Sequence, residues 1–249
     1  MRHISLVVLL TLMMSASNAF PQTKPESLYY SRLNTFGLFG EYSNDSSHIV
    51  LGKTEQRKLL SFGGSYSRRL LINRIADWQY MAEIRPLMWE SDPVVHATTV
   101  ITSPPSLAGT YRSDTVPVLA CSTISDVFNV VIDGVTYSGS HTETCHRRWT
   151  FGEGFAPVGF KFNFLPRHRI QPVFTGLLGY MFSTQPIPVS TAGSFNFTLE
   201  AGAGIELYRS RSRSIRAEYR IHHISNKYTA QTNPGIDNGL FQVTYAFGR

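Results

Sequence analysis

Long hydrophobic runs are missing from this chain of 249 residues. The longest, Ile4 to Met14, falls short of the roughly 18–20 apolar residues that a membrane-spanning helix needs. A helical membrane protein is therefore not expected. Cysteine is scarce too, with only Cys121 and Cys145. Two cysteines do not make a disulfide-dense scaffold. "CSTIS" has no second metal ligand nearby and "CHRR" offers only Cys145 and His146, so no metal and no cofactor is implied. Acidic residues are outnumbered, 17 against 23 Lys and Arg, for a formal net charge of +6. No acidic cluster with calcium-site character stands out. Helical periodicity is rare throughout.

What is present begins with a leader. Met1–Ala19 has a basic start, the short apolar run, and a small-residue end at Ser17-Asn18-Ala19. That pattern reads as a secretory signal peptide. It leaves 20–249 as the mature chain. Export exposes Cys121 and Cys145 to an oxidising compartment, where an even pair forms a disulfide. Export also turns the basic balance away from nucleic acid and toward anionic lipid headgroups or phosphates.

The dominant signal is alternation with a period of two. In 194–207, "SFNFTLEAGAGIEL", the odd positions are apolar and the even ones polar or glycine. Successive side chains of a strand point to opposite faces, so each such strand has one apolar and one polar face. The pattern recurs at 34–43, 58–68, 77–85, 157–164, 170–182, 214–226 and 239–247. The polar faces carry both signs of charge: Glu41, Glu83, Arg85, Lys161, Glu200, Glu206, Arg216, Glu218 and Arg220. Charges of both signs suit a shared lumen, and aromatics crowding the apolar faces suit a lipid interface. The connections alternate short and long, as periplasmic turns and outer loops do. The expected fold is all-β: an eight-stranded antiparallel transmembrane β-barrel, its narrow lumen filled by side chains. One outer loop, the insertion at 90–149, is far longer than the rest and holds both cysteines. A small hairpin tied by Cys121–Cys145 is expected there. Basic residues of the outer loops, Lys53, Arg57, Lys58, Arg147, Arg148 and Lys227, are candidates to meet lipid phosphates.

The stretch "IHHISNKYTAQTNPGID", 221–237, belongs to the seventh strand and the loop after it. The apolar residues Ile215, Ala217, Tyr219 and Ile221 share their parity with His223 and Ser225. His222 has the other parity and is expected in the lumen. Residues i and i+2 of a strand lie roughly 6.5–7 Å apart on one face, within reach of an imidazole and a hydroxyl. Asp237 has the parity of Phe241 and Val243, so it too belongs to the outer face. Pairing His223 with Asp237 sets Tyr219 opposite Phe241 and Ala217 opposite Val243. A serine nucleophile needs an adjacent base, and the base an orienting acid. Ser225, His223 and Asp237 supply these. At ~3.3 Å per residue and a tilt near ~40°, Ser225 stands roughly 28 Å above the periplasmic end, at the outer-leaflet interface.

"HISN" followed by "NPGID" and a terminal alternating strand resembles the outer-membrane lipid A 3-O-deacylase (PagL) family of acyloxyacyl hydrolases. The resemblance implies an eight-strand barrel whose His, Ser and acid fall on His223, Ser225 and Asp237, the family's usual Glu being replaced by Asp. It implies an oxyanion role for Asn226. It implies as partner the lipid A of lipopolysaccharide in the outer leaflet of the bacterial outer membrane. A phospholipase-like esterase is the alternative within enzymes, though that family has twelve strands and needs calcium. A non-catalytic structural or binding barrel is the alternative outside them. A homodimer is left open, as is any role for the 90–149 insertion.

Overall fold

The computed structural model describes residues 29–249 apart from 44, 47, 48, 50 and 114. The leader expected at 1–19 lies outside the described residues. These contain eleven strands: β1 Asn34–Ser43, β2 Lys58–Ile72, β3 Ala76–Ser103, β4 Gly109–Arg112, β5 Val116–Pro117, β6 Ile124–Ile132, β7 Val135–Phe164, β8 Ile170–Ser183, β9 Phe195–Ser210, β10 Arg213–Ser225 and β11 Ile236–Gly248. Eight of them close a ring in the order β1-β2-β3-β7-β8-β9-β10-β11, with β11 returning to β1. A closed ring leaves no unpaired backbone edge, which is the condition for strands to cross lipid.

The alternation dictates which side is which. In β9, Phe197, Leu199, Ile205 and Leu207 are exposed, while Asn196, Thr198, Glu200 and Glu206 are buried. All nine charged residues expected in the lumen are buried. They pair there: Arg85 meets Glu41 at 2.7 Å, Glu83 at 2.9 Å and Glu200 at 2.7 Å. Arg220 joins the same group, 2.9 Å from Glu83 and 2.9 Å from Glu218. Nearer the periplasmic end, Glu206 holds Arg32 at 2.8 Å and Lys161 at 3.1 Å. Toward the outer end the lumen is stopped by an apolar plug of Leu59, Met88, Met181, Ile187, Ile224, Ile236 and Leu240. The barrel is thus filled and not a pore. An apolar exterior around a charge-paired interior is stable only in a bilayer. Antiparallel barrels with an outward apolar band and aromatic girdles are outer-membrane structures. The chain is an outer-membrane β-barrel.

The 90–149 insertion is more ordered than a loop. β3 and β7 remain paired from Ala76 opposite Phe164 to Ser103 opposite Ser138. Two barrel strands therefore continue past the rim as a projecting ribbon. β4 and β5 add to the free edge of β3, and β6 to that of β7. β6 turns into β7 through Asp133 and Gly134, both at positive φ, as a two-residue hairpin requires. Cys121 is disulfide-bonded to Cys145 within β7, with Cα atoms 6.0 Å apart. The expected bridge is present and ties a hairpin as expected: it lies just beyond the Ile124–Glu143 pair, at the open end of β6–β7, and the second strand of that hairpin is part of the ribbon.

Candidate active site

β10 carries the site because its outward face changes character along its length. Ile215 and Tyr219 are exposed apolar residues, whereas His223 and Ser225, on the same face, are half-buried polar ones. The register across β10–β11 sets His223 opposite Asp237, Tyr219 opposite Phe241 and Ala217 opposite Val243, the pairing expected from apolar matching. His222 is fully buried in the lumen, its Nε2 3.8 Å from Glu200 Oε1. Adjacent histidines thus serve opposite faces of one wall.

His223 Nδ1 and Asp237 Oδ1 are 2.6 Å apart. A bond of this length between an imidazole and a carboxylate is strong and fixes the ring orientation. Nδ1 is the donor with the proton placed toward Asp237, which leaves Nε2 as the basic nitrogen. The other carboxylate oxygen, Oδ2, accepts the backbone N–H groups of Leu51 and Gly52, each at 2.9 Å. These come from the outer loop between β1 and β2. Asp237 is consequently fully buried although its parity points outward. Gly52 is required at this contact, since a Cβ there would lie 2.6 Å from the Asp237 nitrogen. Gly235, at φ +67°, makes the turn that brings Asp237 into β11, and a Cβ on it would press on His223 Cε1 at 3.3 Å.

The hydroxyl of Ser225 is turned to Asn233 and not to His223. Asn233 Nδ2 donates to Ser225 Oγ at 3.1 Å, and the backbone N–H of Lys227 approaches the same oxygen at 3.3 Å. Asn233 Oδ1 accepts the backbone N–H of Asn226 at 3.0 Å. Sequence reasoning did not single out Asn233. Its signal was only the "NPG" of a loop, and nothing in spacing shows that this loop folds back over Ser225. The carboxamide of Asn226 is buried in the loop itself, donating to the Thr232 carbonyl at 2.7 Å and accepting from Tyr228 N–H at 2.9 Å. It builds the turn that brings Asn233 to Ser225.

Depth follows from the neighbouring strands. Ser225 lies opposite Phe197, which lies opposite Tyr180, which lies opposite Phe155. These rings and their neighbours form a continuous belt, with Phe182 and Phe195 centroids 4.8 Å apart and Phe195 and Phe197 5.1 Å apart. An aromatic belt marks the membrane interface. One step lower, His223 aligns with Leu199, Leu178 and Val158, all exposed. Ser225 is therefore level with the belt and His223 with the upper edge of the apolar band. Of the basic residues proposed to meet phosphates, Arg57 is fully buried. Arg148 is engaged with Asp92 at 2.9 Å, and Arg147 with the Gln56 carbonyl at 2.9 Å. Lys227 stands over the Phe197 ring, 5.4 Å from its centroid, beside the site.

Residues 131–246 match the family model described as Lipid A 3-O-deacylase (PagL). The resemblance read from the sequence is borne out over that range. Among solved structures, the chain is similar to that of the outer membrane enzyme PagL, at 12% identity, covering 87% of this chain and 99% of that one with a TM-score of 0.46. It is similar to Neisserial surface protein A at 11% identity, 87% and 97% coverage, TM-score 0.40. It is also similar to OprG from Pseudomonas aeruginosa at 9% identity, 88% and 98% coverage, TM-score 0.38. No curated protein matches the chain.

Proposed function

We propose that this barrel, with its lipid A 3-O-deacylase match over residues 131–246, is a serine esterase that removes the 3-O-linked hydroxyacyl chain of lipid A in the outer leaflet. The observation that carries the reading is the 2.6 Å His223–Asp237 bond, on the outward face of β10, with Ser225 two residues further along that face. Lipid A presents its acyl esters at this depth. In the reaction, the Ser225 hydroxyl turns from Asn233 toward His223 Nε2, which takes its proton as Oγ attacks the ester carbonyl. Asp237 holds the ring and stabilises the imidazolium that forms. The freed Asn233 Nδ2 and the N–H of Lys227 are the donors nearest the nascent oxyanion. His223 then gives the proton to the departing sugar oxygen, leaving an acyl-Ser225 ester. Water, deprotonated by His223, hydrolyses that ester to release the fatty acid. Asn226 supports the oxyanion side by forming the turn that presents Asn233. All these residues come from β10, β11 and the loop between them, so one chain supplies the machinery.

The test is mass spectrometry of lipid A from cells expressing the wild-type protein or Ser225→Ala. Wild-type cells should show lipid A lighter by one hydroxyacyl group, and Ser225→Ala cells should not, although both barrels show heat-modifiable gel mobility. Unaltered lipid A in the presence of folded wild-type protein would refute the reading, as would normal deacylation by folded Ser225→Ala.

A further inference from the structure

The segment that covers Asp237, residues 51–57, is itself held by the insertion. Its far end carries Arg57, a fully buried guanidinium. Nε of Arg57 faces Asp92 Oδ1 at 3.3 Å. Nη1 donates to the carbonyls of Glu55, at 2.7 Å, and Leu119. Nη2 donates to the carbonyls of Val118, at 2.5 Å, and Pro188, at 3.2 Å. A planar, permanently charged fork of donors locks its acceptors in one arrangement, which a flexible ammonium would not do. The N–H of Glu55 returns a bond to the Leu119 carbonyl at 2.9 Å. Residues 118–119 of the insertion are thereby stitched to the covering loop. Two residues further on, Cys121 is covalently fixed to Cys145 of β7. Its N–H donates to the Gln56 side chain at 2.9 Å, while Arg147 holds the Gln56 carbonyl at 2.9 Å.

A continuous path therefore runs from the ribbon through the disulfide, residues 118–121 and Arg57 to the loop whose Leu51 and Gly52 amides grip Asp237. We propose that the Cys121–Cys145 crosslink and Arg57 form a brace that positions the carboxylate of Asp237. Both are positioning residues, since neither touches His223 or Ser225. The proposal rests on Asp237 being the acid of the esterase. An aspartate reaches less far than a glutamate, so its carboxylate depends on backbone held close behind it, and the brace supplies that backing. Other tethers share the load. Lys53 N–H donates to the Pro234 carbonyl at 2.9 Å, Thr54 Oγ1 to the Gly235 carbonyl at 2.8 Å, and Ser46 bridges to Asn238. Losing the brace loosens the loop without detaching it.

The experiment is a cycle on full-length protein in detergent micelles with purified lipid A. The disulfide of the folded barrel is reduced with a phosphine, in wild type and in Asp237→Asn, and kcat and KM are measured before and after. Reduction should lower wild-type kcat roughly ten- to a hundredfold with KM little changed, up to the loss expected for a misplacement of about 1 Å. It should leave the residual turnover of Asp237→Asn unchanged, because coupled sites are not additive. Arg57→Gln should reproduce both results. Heat-modifiable mobility reports folding, and thiol titration confirms reduction. If Arg57→Gln does not fold, the reduced wild type still decides. An equal fold-loss in both backgrounds, a change confined to KM, or full wild-type kcat with both thiols free would overturn the brace. Untreated wild type without activity, or Asp237→Asn at wild-type turnover, would instead overturn the assignment on which it rests.

Discussion

His222 and His223 occupy opposite faces of β10, and that difference separates the roles proposed for them. His223 is partly exposed and bound to Asp237, whereas His222 is fully buried beside Glu200. His223→Ala should remove most deacylation while the barrel still folds. His222→Ala should act on stability, measured as the urea midpoint of unfolding, and leave activity largely intact in the folded fraction. A well-folded but inactive His222→Ala protein would reverse the assignment. At Asp237 the buried carboxylate is bounded by His223 on one side and two amides on the other. Asp237→Glu must fit an extra methylene there, which in a packed site is costly. Turnover should rank wild type above Asp237→Glu, and Asp237→Glu above Asp237→Asn. Activity of Asp237→Asn equal to that of Asp237→Glu would show that charge at this position is immaterial.

Among the elements, the outer loop between β1 and β2 holds the carboxylate of Asp237 through Leu51 and Gly52. Gly52→Ala places a methyl 2.6 Å from Asp237 N and 2.9 Å from its Cγ, so the loop must move away. kcat should fall roughly tenfold or more with barrel stability unchanged, and steady-state kinetics beside an unfolding curve separate the two. Wild-type kcat in Gly52→Ala would mean that the amide contacts do not matter. The loop's role could not be read from sequence, because "LGKTEQR" carries no spacing that ties it to a residue 185 positions away. The projecting ribbon was hidden for a different reason. Alternation marks a strand only where its two faces meet different surroundings, and β6 is exposed on both. The alternation read at 77–85 and 157–164 therefore covers only the barrel portions of the long β3 and β7.

For the whole molecule, stability comes from charges inside and lipid outside. Arg220 links Glu83, Glu200 and Glu218 across β3, β9 and β10. Arg220→Met takes one cation from this closed group, leaving Glu83 and Glu200 to Arg85 and Glu218 to Arg216, and breaking such a buried network costs about 3–5 kcal/mol. A urea titration of the refolded barrel should show that loss. An unchanged midpoint would mean that the remaining arginines suffice for these carboxylates. The same variant should retain deacylase activity while folded, since the lumen and the outward-facing site lie on opposite sides of one wall.

The sequence by itself determined the barrel, the inversion of its faces, and the pairing of His223 with Asp237. A period of two is a local property, and matching apolar residues across a hairpin needs only the two strands concerned. The disulfide was legible because only one pairing was available. Tertiary structure alone decided what surrounds the site. Asn233 reaches Ser225 by the folding back of a loop. Asp237 is buried by amides from the far side of the chain. Arg57, expected at a lipid phosphate, is enclosed by carbonyls from separate segments. The amide contacts on Asp237 depend on the closure of the ring, which brings β1 beside β11 and so sets the first outer loop over the last hairpin. Closure joins residues remote in the chain, and no local pattern carries that information.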